Sequence, residues 1–190
     1  MKTMLDLYSG LGGASEAFVQ AGWKVIRVEK NPDLAYVPHT LTLDCHDWAD
    51  WAADLPQIDL VWASPPCTEF SNGYNAPKIR ASRAGEDYDA CMKSVMAALD
   101  IVDLVKPKYW ILENVVGSIE FIEPLIGKHR QKVGPCILWG NFPHTIMPQG
   151  WIPKSKVAMT TAQARSMIPF ELSFALLEAC RQQTDLRDWC

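Results

Sequence analysis

Short apolar segments that each end at a polar or acidic residue alternate with helix-forming segments along the first 115 residues. They are MLDLYSG at Met4–Gly10, WKVIRVEK ending in Glu29, LTLD ending in Asp44, IDLVWA before Ser64, and YWILENV at Tyr109–Val115. Between them, GASEAFVQAG has helical composition, and the apolar period from Tyr88 to Val102 predicts a helix that Pro107 ends. This alternation predicts an α/β fold with a mostly parallel central sheet, helices on both faces, and ligands bound beyond the carboxyl ends of the strands.

The later part of the chain is less regular. CILWG and KVAMT predict two further strands, and PFELSFALLEAC predicts a helix with Pro169 in its first turn. The polar stretch from Ser71 to Asp87 has no apolar period and predicts a mobile loop.

Length and composition limit the class of protein. With 190 residues, 48% of them apolar, the chain has the size of one domain spanning residues 1–190. It contains no run of roughly 18 apolar residues and no signal-peptide core, so we expect a soluble, intracellular protein. The six cysteines form no CxxC pair and the four histidines show no metal-ligand spacing, so we expect reduced thiols and no metal. A net charge of −4 argues against nucleic-acid affinity based on charge alone.

The loop SGLGGAS joins the first predicted strand to its helix. It lacks the third glycine of the dinucleotide fingerprint, so by itself it could be only a tight turn. Glu29 follows about 20 residues later at a strand end, where a carboxylate can accept both hydroxyls of a ribose. This pairing favours an adenosine-containing cofactor, either a nicotinamide dinucleotide or S-adenosylmethionine, which has no pyrophosphate and needs no third glycine. Asp44 could accept a hydrogen bond from the adenine amine or lie in a solvated turn.

The stretch ASPPCTEFSNG places Cys67 directly after two prolines at the end of the fourth predicted strand. Pro65 and Pro66 restrict the backbone that leads to Cys67, and a nucleophilic thiol benefits from such fixed placement. A buried structural thiol is the alternative. The pattern argues against a zinc deaminase, because Phe70 stands at the second cysteine position of P-C-x-x-C and no H-x-E precedes it.

Glu113 ends the fifth predicted strand and is followed by Asn114. A carboxyl group in a closed, desolvated pocket can stay protonated near neutral pH and donate a proton. The alternative is an acid that is satisfied at a strand terminus. Because parallel strands end at one edge of a sheet, we expect Glu113 and Cys67 to share a cleft with the glycine loop.

Five segments, taken in order, resemble the motifs of the cytosine-5 DNA methyltransferase family over nearly the whole chain. They are DLYSGLGGASEAF, VEKNPDLA, DLVWASPPCTEFS, KPKYWILENV and RSMIPFELSFALLEA. The most specific part is Pro-Cys followed by Phe-Ser, with Glu-Asn-Val about 45 residues later. ILWGNFP and the small size resemble the compact, phage-type members, which implies a bacterial or phage-infected cytoplasm and a link to restriction-modification.

The resemblance implies a Rossmann-like, S-adenosylmethionine-dependent methyltransferase fold. It implies that Cys67, next to Pro66, attacks C6 of a flipped cytosine, that Glu113 protonates or hydrogen-bonds N3, and that Asn114 holds the catalytic loop. It places S-adenosylmethionine against Asp6, Tyr8, Ser9, Gly10, Gly12, Gly13, Glu29, Lys30, Asp44, Cys45, Ser64, Pro65 and Ser166. DNA contacts are expected at Ser71, Lys78, Arg80, Arg83 and Arg130.

Two positions depart from the family pattern. KHRQK, with Arg130, stands in the region of the usual Gln-x-Arg-x-Arg motif, and Ser166 or Arg165 replaces an asparagine in the last motif. In addition, residues 141–164 are too few to form the separate target-recognition domain of larger relatives. We therefore expect DNA that is read in a short, relaxed context or is single-stranded, or a partner protein that supplies targeting. The same chemistry on RNA or a free cytosine nucleotide, and a nucleic-acid-binding module with weakened catalysis, are the alternatives.

Overall fold

The computed structural model describes residues 1–152 and 167–187, and within them the chain forms an α/β protein with one seven-stranded sheet. The strands are β1 (Thr3–Leu7), β2 (Lys24–Val28), β3 (Thr40–Leu41), β4 (Leu60–Ala63), β5 (Tyr109–Val115), β6 (Gln131–Val133) and β7 (Cys136–Asn141). Their order across the sheet is β3-β2-β1-β4-β5-β7-β6. The strands from β1 to β5 are parallel, and β7 is antiparallel to both β5 and β6. The predicted mostly parallel sheet is confirmed.

Five α-helices lie within the described residues. They are α1 (Glu16–Gln20), α2 (Pro77–Ala84), α3 (Lys93–Val105), α4 (Ile119–Ile126) and α5 (Phe170–Arg187). Short 3-10 segments occupy Pro32–Leu34, Cys45–Asp50, Ala52–Asp54 and Val116–Ser118.

Successive side chains of the central strands enter two separate cores. Met4 of β1 packs with Phe18 of α1 and Leu172 of α5 on one face. Leu5, the next residue, packs with Ile101 of α3 on the other face. Because the central strands are covered on both faces, their side chains are nearly all buried, which explains the continuous apolar runs in the sequence.

The position of β1 creates a cleft at the carboxyl edge of the sheet. β1 lies between β2 and β4, so the chain leaves β1 toward one side of the sheet and leaves β4 toward the other. Such a switch in strand order opens a crevice between the two loops, which is the usual ligand site of open α/β sheets. Here the loop after β1 and the loop after β4 border that crevice.

Two predicted boundaries were wrong. The strand predicted to end in Asp44 covers only Thr40–Leu41. Asp44 instead caps the 3-10 segment that follows, because its carboxylate accepts the backbone N–H of His46 at 3.0 Å. The helix predicted from Tyr88 begins only at Lys93. Tyr88 lies before the helix, where its hydroxyl donates a hydrogen bond to the Glu69 carboxylate at 2.8 Å.

The segment predicted as a mobile loop, Ser71–Asp87, contains α2. None of the residues of α2 is buried, so an apolar period could not reveal this helix. Its ends are defined locally instead: Pro77 occupies the first turn, and Gly85 ends the helix with a left-handed φ of 70°.

Two elements near the site, α4 and β6, were not predicted from the sequence. The predicted strand KVAMT lies outside the described residues. The predicted strands at Tyr109–Val115 and in CILWG, and the helix at the end of the chain, are confirmed. Over the described ranges, 1–152 and 167–187, no helix combines the length and apolar character needed to cross a membrane.

Candidate active site

A cavity of about 340 Å³ lies at the switch point. Its walls come from β1 and the loop after it, the end of β2, the loop after β4, and the segment before α5. The lining residues are Asp6, Tyr8, Ser9, Gly10, Leu11, Ala14, Glu29, Lys30, Leu34, Ser64, Pro66, Cys67, Thr68, Met167 and Ile168. Predicted cofactor residues and the predicted nucleophile Cys67 therefore border one cavity.

The loop after β1 turns sharply at the wall of this cavity. Tyr8 adopts a left-handed φ of 58°, which is strained for a residue with a side chain, and Gly10 follows with a φ of 52°. The Tyr8 hydroxyl donates a hydrogen bond to the Ser94 carbonyl of α3 at 2.8 Å. This bond ties the strained turn to the helix on the far side of the cleft.

Gly12 and Gly13 are explained by packing rather than by the cavity. A Cβ atom on Gly12 would lie 2.4 Å from the guanidinium carbon of Arg27, and one on Gly13 would lie 2.2 Å from the Ile168 carbonyl oxygen. Any side chain at these two positions would displace buried neighbours. The sequence grouped both glycines with the cofactor loop, whereas the structure places them against Arg27 and the segment before α5.

Glu29 directly follows β2 and lies beside the glycine loop. Its carboxylate accepts the N–H of Gly10 at 3.1 Å and the N–H of Asn31 at 2.9 Å, one on each oxygen. A carboxylate oxygen can accept more than one hydrogen bond, so both oxygens retain capacity for a ligand. The arrangement suits a pair of adjacent hydroxyl groups.

Ser9 provides an independent sign of a missing polar ligand. Its hydroxyl oxygen is buried at the cavity wall and has no hydrogen-bond partner among the described residues. Buried hydroxyl groups are normally paired, so a polar ligand group or water would complete the site. This orphaned oxygen and the spare capacity of Glu29 fit a cofactor that carries a ribose and a charged amino-acid end.

Asp6 also lines the cavity and is buried. It accepts the hydroxyl of Ser15 at 2.6 Å, and Ser15 in turn accepts Nε–H of Arg27 at 2.9 Å. Burial raises the pKa of Asp6 to about 6, although the Ser15 hydrogen bond and the Arg27 charge oppose this effect. The carboxyl group is thus charged only at some cost at neutral pH.

Asp44 and Cys45 lie at the rim rather than in the lining of the cavity. Lys30, which lines the cavity, holds its ammonium 3.6 Å from Asp44 Oδ2. Partial burial would raise the pKa of Asp44, yet the hydrogen bond from the His46 backbone and the Lys30 charge outweigh it and lower that pKa. Cys45 is buried, and burial raises its pKa to about 12.

The loop that carries Cys67 is fixed from several sides. Pro65 is buried, Pro66 is exposed, and Cys67 is half-buried. The Cys67 carbonyl accepts the N–H groups of Phe70 and Ser71 at 3.1 and 2.9 Å, which closes a tight turn. The thiol therefore stands on a rigid turn at the mouth of the cavity.

Glu113 and Asn114 lie near the end of β5, next to this loop. The register of β4 and β5 pairs Ala63 with Leu112, so its continuation by one residue sets Ser64 beside Glu113. Asn114 follows the same register, since its side-chain amide donates to the Pro65 carbonyl at 3.0 Å. Glu113 is almost fully buried. The structure thus brings β5 and the cysteine loop to one edge of the sheet, whereas Glu113 is not among the residues that line the cavity.

The predicted DNA contacts divide into two groups. Arg80, Arg83 and Arg130 are exposed. Arg83 stacks on the exposed Tyr74 ring at 3.6 Å, and Arg130 lies over the Phe142 ring at 5.5 Å.

The other two predicted contacts are engaged within the protein. Lys78 forms an ion pair with Glu120 of α4, and its ammonium also lies 3.4 Å from the Gly117 carbonyl. Ser71 accepts the N–H of Gly73 at 3.1 Å. Ser166 lies outside the described residues.

Several residues of the site had no sequence signal. Ser15 holds Asp6 and is itself held by Arg27, and Ser94 holds Tyr8, yet none of these three residues was predicted as part of the site. Met167 and Ile168 line the cavity although they are distant in sequence from the glycine loop. These contacts depend on packing between elements, which no local pattern encodes.

The sheet order and the cavity together define an α/β protein with a cavity at the topological switch point of its sheet. The family profile of C-5 cytosine-specific DNA methylases matches residues 2–121, more than half of the chain. The chain therefore belongs to the C-5 cytosine-specific DNA methylase family. The matched range ends within α4 and includes Cys67, Glu113 and Asn114.

Individual relatives agree with this family. The chain is 33% identical over 125 residues to the "Probable DNA (cytosine-5)-methyltransferase" of Frog virus 3, covering 58% of this chain and 52% of that protein. It is 29% identical over 137 residues to the type II methyltransferase M.AquIA of Picosynechococcus, covering 63% and 51%. It is 23% identical over 150 residues to the type II methyltransferase M.DdeI of Desulfomicrobium norvegicum, covering 69% and 34%. The chain spans about half or less of the length of these relatives.

Proposed function

We propose that this protein transfers a methyl group from S-adenosylmethionine to C5 of cytosine in DNA, through a covalent bond between Cys67 and the base. The observation that carries the proposal is that the Tyr8–Gly10 loop, Glu29 and Cys67 all border the same cavity. A cofactor against the loop and a base against the thiol would meet inside it, which is what group transfer requires. Membership of the C-5 cytosine-specific DNA methylase family supports the same reaction.

The cofactor would be held by residues on the β1 and β2 side of the cavity. Glu29 would accept the ribose hydroxyls, Asp44 the adenine amine, and the buried Ser9 hydroxyl would pair with the amino-acid end. When bound, S-adenosylmethionine supplies an electrophilic methyl group on a sulfonium centre, and this group ends on C5. Tyr8, held by Ser94, would form the wall between the cofactor and α3.

The protein's own residues would activate the base. The Cys67 thiolate adds to C6, a carbon–sulfur bond forms, and the electrons of the C5–C6 double bond move into the ring. Glu113, when protonated, donates a hydrogen bond to N3 and stabilises that charge. C5 then uses these electrons to take the methyl group, and S-adenosylhomocysteine is the leaving group. Loss of the C5 proton to a base restores the double bond and expels the Cys67 thiolate. Asn114 would keep the cysteine loop in place through Pro65.

Arg80 and Arg83 of α2 and Arg130, just before β6, would contact phosphates, since all three are exposed. Residues 141–164 offer few side chains for reading base edges, and each good contact contributes about 1 to 3 kcal/mol of discrimination. We therefore propose a short, relaxed target context, a single-stranded substrate, or a partner protein that supplies targeting. The place of action would be the cytoplasm of a bacterium or of a phage-infected host.

The proposal is tested by incubation of the purified protein with radiolabelled S-adenosylmethionine and, in parallel, duplex DNA, single-stranded DNA, RNA or dCTP. Nucleoside analysis should find 5-methylcytosine in DNA, and the duplex and single-stranded arms separate the two DNA contexts. If label appeared only in RNA or only in dCTP, that molecule and not DNA would be the substrate. Lack of label in every arm would contradict the proposal.

A further inference from the structure

His46 and Ser94 are two polar residues beside the site that the proposed reaction does not use. His46 is the second residue of the 3-10 segment that Asp44 caps, and Ser94 lies in the first turn of α3. The His46 Nε2 atom is 3.1 Å from the Ser94 hydroxyl, and its Nδ1 atom is 3.0 Å from Asp44 Oδ1. The imidazole therefore bridges Asp44 and α3.

The contacts on Asp44 distinguish its two oxygens. Oδ1 accepts the backbone N–H of His46 at 3.0 Å and also faces the His46 ring. Oδ2 faces Lys30, a residue that lines the cavity. With Oδ1 occupied by His46, Oδ2, on the side of the cavity-lining Lys30, is the oxygen left to accept a hydrogen bond from a ligand.

Ser94 connects both Tyr8 and His46 to α3. Its hydroxyl lies against His46, and its carbonyl accepts the Tyr8 hydroxyl at 2.8 Å. In the tautomer with the proton on Nδ1, Nδ1 donates to the Asp44 carboxylate and Nε2 accepts the Ser94 O–H. One residue of α3 thus fixes Tyr8 directly and Asp44 through His46.

We propose that Ser94 and His46 are positioning residues that fix the orientation of the Asp44 carboxylate and so determine selectivity for the 6-amino group of adenine. This inference rests on the proposed function, because it assigns the adenine end of the cofactor to Asp44. A carboxylate held with one oxygen toward the cavity accepts an amine and opposes a carbonyl oxygen in the same place. Without the ring contact, the carboxylate keeps only the backbone N–H of residue 46 and the Lys30 ion pair, so it rotates more freely and loses selectivity.

Calorimetric titration with S-adenosylhomocysteine and S-inosylhomocysteine tests the inference, since the two probes differ by an amine against a carbonyl at purine position 6. The wild-type protein should bind the adenosyl compound about tenfold or more tightly, because this is the effect of one hydrogen bond to a charged acceptor. His46→Ala and Ser94→Ala should bring this ratio toward one. His46→Asn, which keeps an N–H donor near the Nδ1 position, should restore part of it. His144→Ala replaces an exposed histidine and should leave the ratio unchanged.

A double-mutant cycle separates positioning from general damage. If His46 acts through Asp44, His46→Ala should cause no further loss of selectivity in an Asp44→Ala background. Circular dichroism and thermal unfolding show which variants fold. If His46→Ala does not fold, Ser94→Ala, which removes only a hydroxyl, still tests the inference. A wild-type ratio that persists in both variants, or a wild-type protein that binds both probes equally, would overturn the inference. Absence of wild-type binding to S-adenosylhomocysteine would instead contradict the proposed function.

Discussion

The side-chain amide of Asn114 donates a hydrogen bond to the Pro65 carbonyl at 3.0 Å, and both residues are buried. This bond joins the end of β5 to the loop that carries Cys67, two residues beyond Pro65. The side-chain oxygen Oδ1 of Asn114 also accepts the N–H of Val115 at 2.9 Å. The side chain thus fixes the cysteine loop relative to the strand that carries Glu113.

Replacement of Asn114 by Ala should therefore damage both stability and turnover. The change leaves the buried Pro65 carbonyl unpaired, which costs about 1 to 3 kcal/mol in the free energy of unfolding. We expect kcat to fall more than the affinity for S-adenosylmethionine, because the bond positions the thiol. Urea unfolding and steady-state kinetics measure both effects. Asn141→Ala is the matched control, since Asn141 makes an equivalent but exposed bond to the Lys108 carbonyl at 3.1 Å. Similar losses in the two variants would contradict a role for Asn114 at the site.

Glu29→Ala should weaken S-adenosylmethionine binding by about 1.5 to 3 kcal/mol, the contribution of hydrogen bonds to a charged acceptor. The same change removes the bonds that Glu29 makes to Gly10 and Asn31, so the loop after β1 should also loosen. Calorimetry gives the affinity, and Glu178→Ala on the exposed face of α5 is the control. Unchanged affinity would remove Glu29 from the cofactor site.

The three basic residues around α2 should contribute unequally to binding of nucleic acid. Arg80→Ala and Arg83→Ala should each weaken binding and lower the slope of log affinity against log salt by about 1. Lys78→Ala should have a smaller effect, because Glu120 already neutralises Lys78. Fluorescence anisotropy over a salt series measures these slopes.

The ion pair offers an internal control for this prediction. Glu120→Ala releases Lys78 and removes a negative charge near the nucleic acid, so it should strengthen binding. Equal effects of all three basic residues, or weaker binding by Glu120→Ala, would show that the Lys78–Glu120 pair does not persist in the complex.

Asp6 predicts a specific pH dependence of stability. Its pKa in the folded protein is about 6, above the ordinary value of 3.8, so the folded state binds this proton more tightly than the unfolded state. Its contribution to stability is greatest below about pH 4, falls as the pH rises to about 6, and stays low above that. Because one pKa unit corresponds to about 1.4 kcal/mol, the total change is roughly 3 kcal/mol.

Asp6→Asn should therefore be more stable than the wild-type protein at pH 8, and this advantage should shrink as the pH falls from 6 to 4. The amide oxygen can still accept the Ser15 hydroxyl. Unfolding in urea at several pH values gives the difference directly. A difference in stability that does not change with pH would show that burial does not raise the pKa of Asp6.

The parts of the site that the sequence could predict lie at the ends of parallel strands. Glu29 and Cys67 each follow an apolar segment, and parallel strands must end at the same edge of a sheet, so the pattern alone placed both beside one cavity. A role for Glu113 in the same site stays a prediction. The prolines before Cys67 likewise indicated a rigid turn. Chain topology thus carried most of the successful inference.

The remaining parts depend on contacts that have no period in the sequence. α2 has no buried side chain, so its helical character is visible only in Pro77 and Gly85. The ion pair of Lys78 with Glu120 and the contact of Ser94 with His46 join residues more than 40 positions apart. Such pairs follow from how α2, α3 and α4 pack, and packing is decided by the whole fold.

The central claim is that the Cys67 thiol bonds covalently to a cytosine in DNA, and trapping of that bond tests it most directly. The protein is incubated with S-adenosylmethionine and DNA that contains 5-fluorocytosine, in which fluorine at C5 blocks the proton loss that releases the enzyme. We predict a stable protein–DNA adduct, mapped by mass spectrometry of proteolytic peptides to Cys67. It should be absent from Cys67→Ala and present in Cys91→Ala, which replaces an exposed thiol. Failure of the wild-type protein to form an adduct, or an adduct that persists in Cys67→Ala, would contradict the claim.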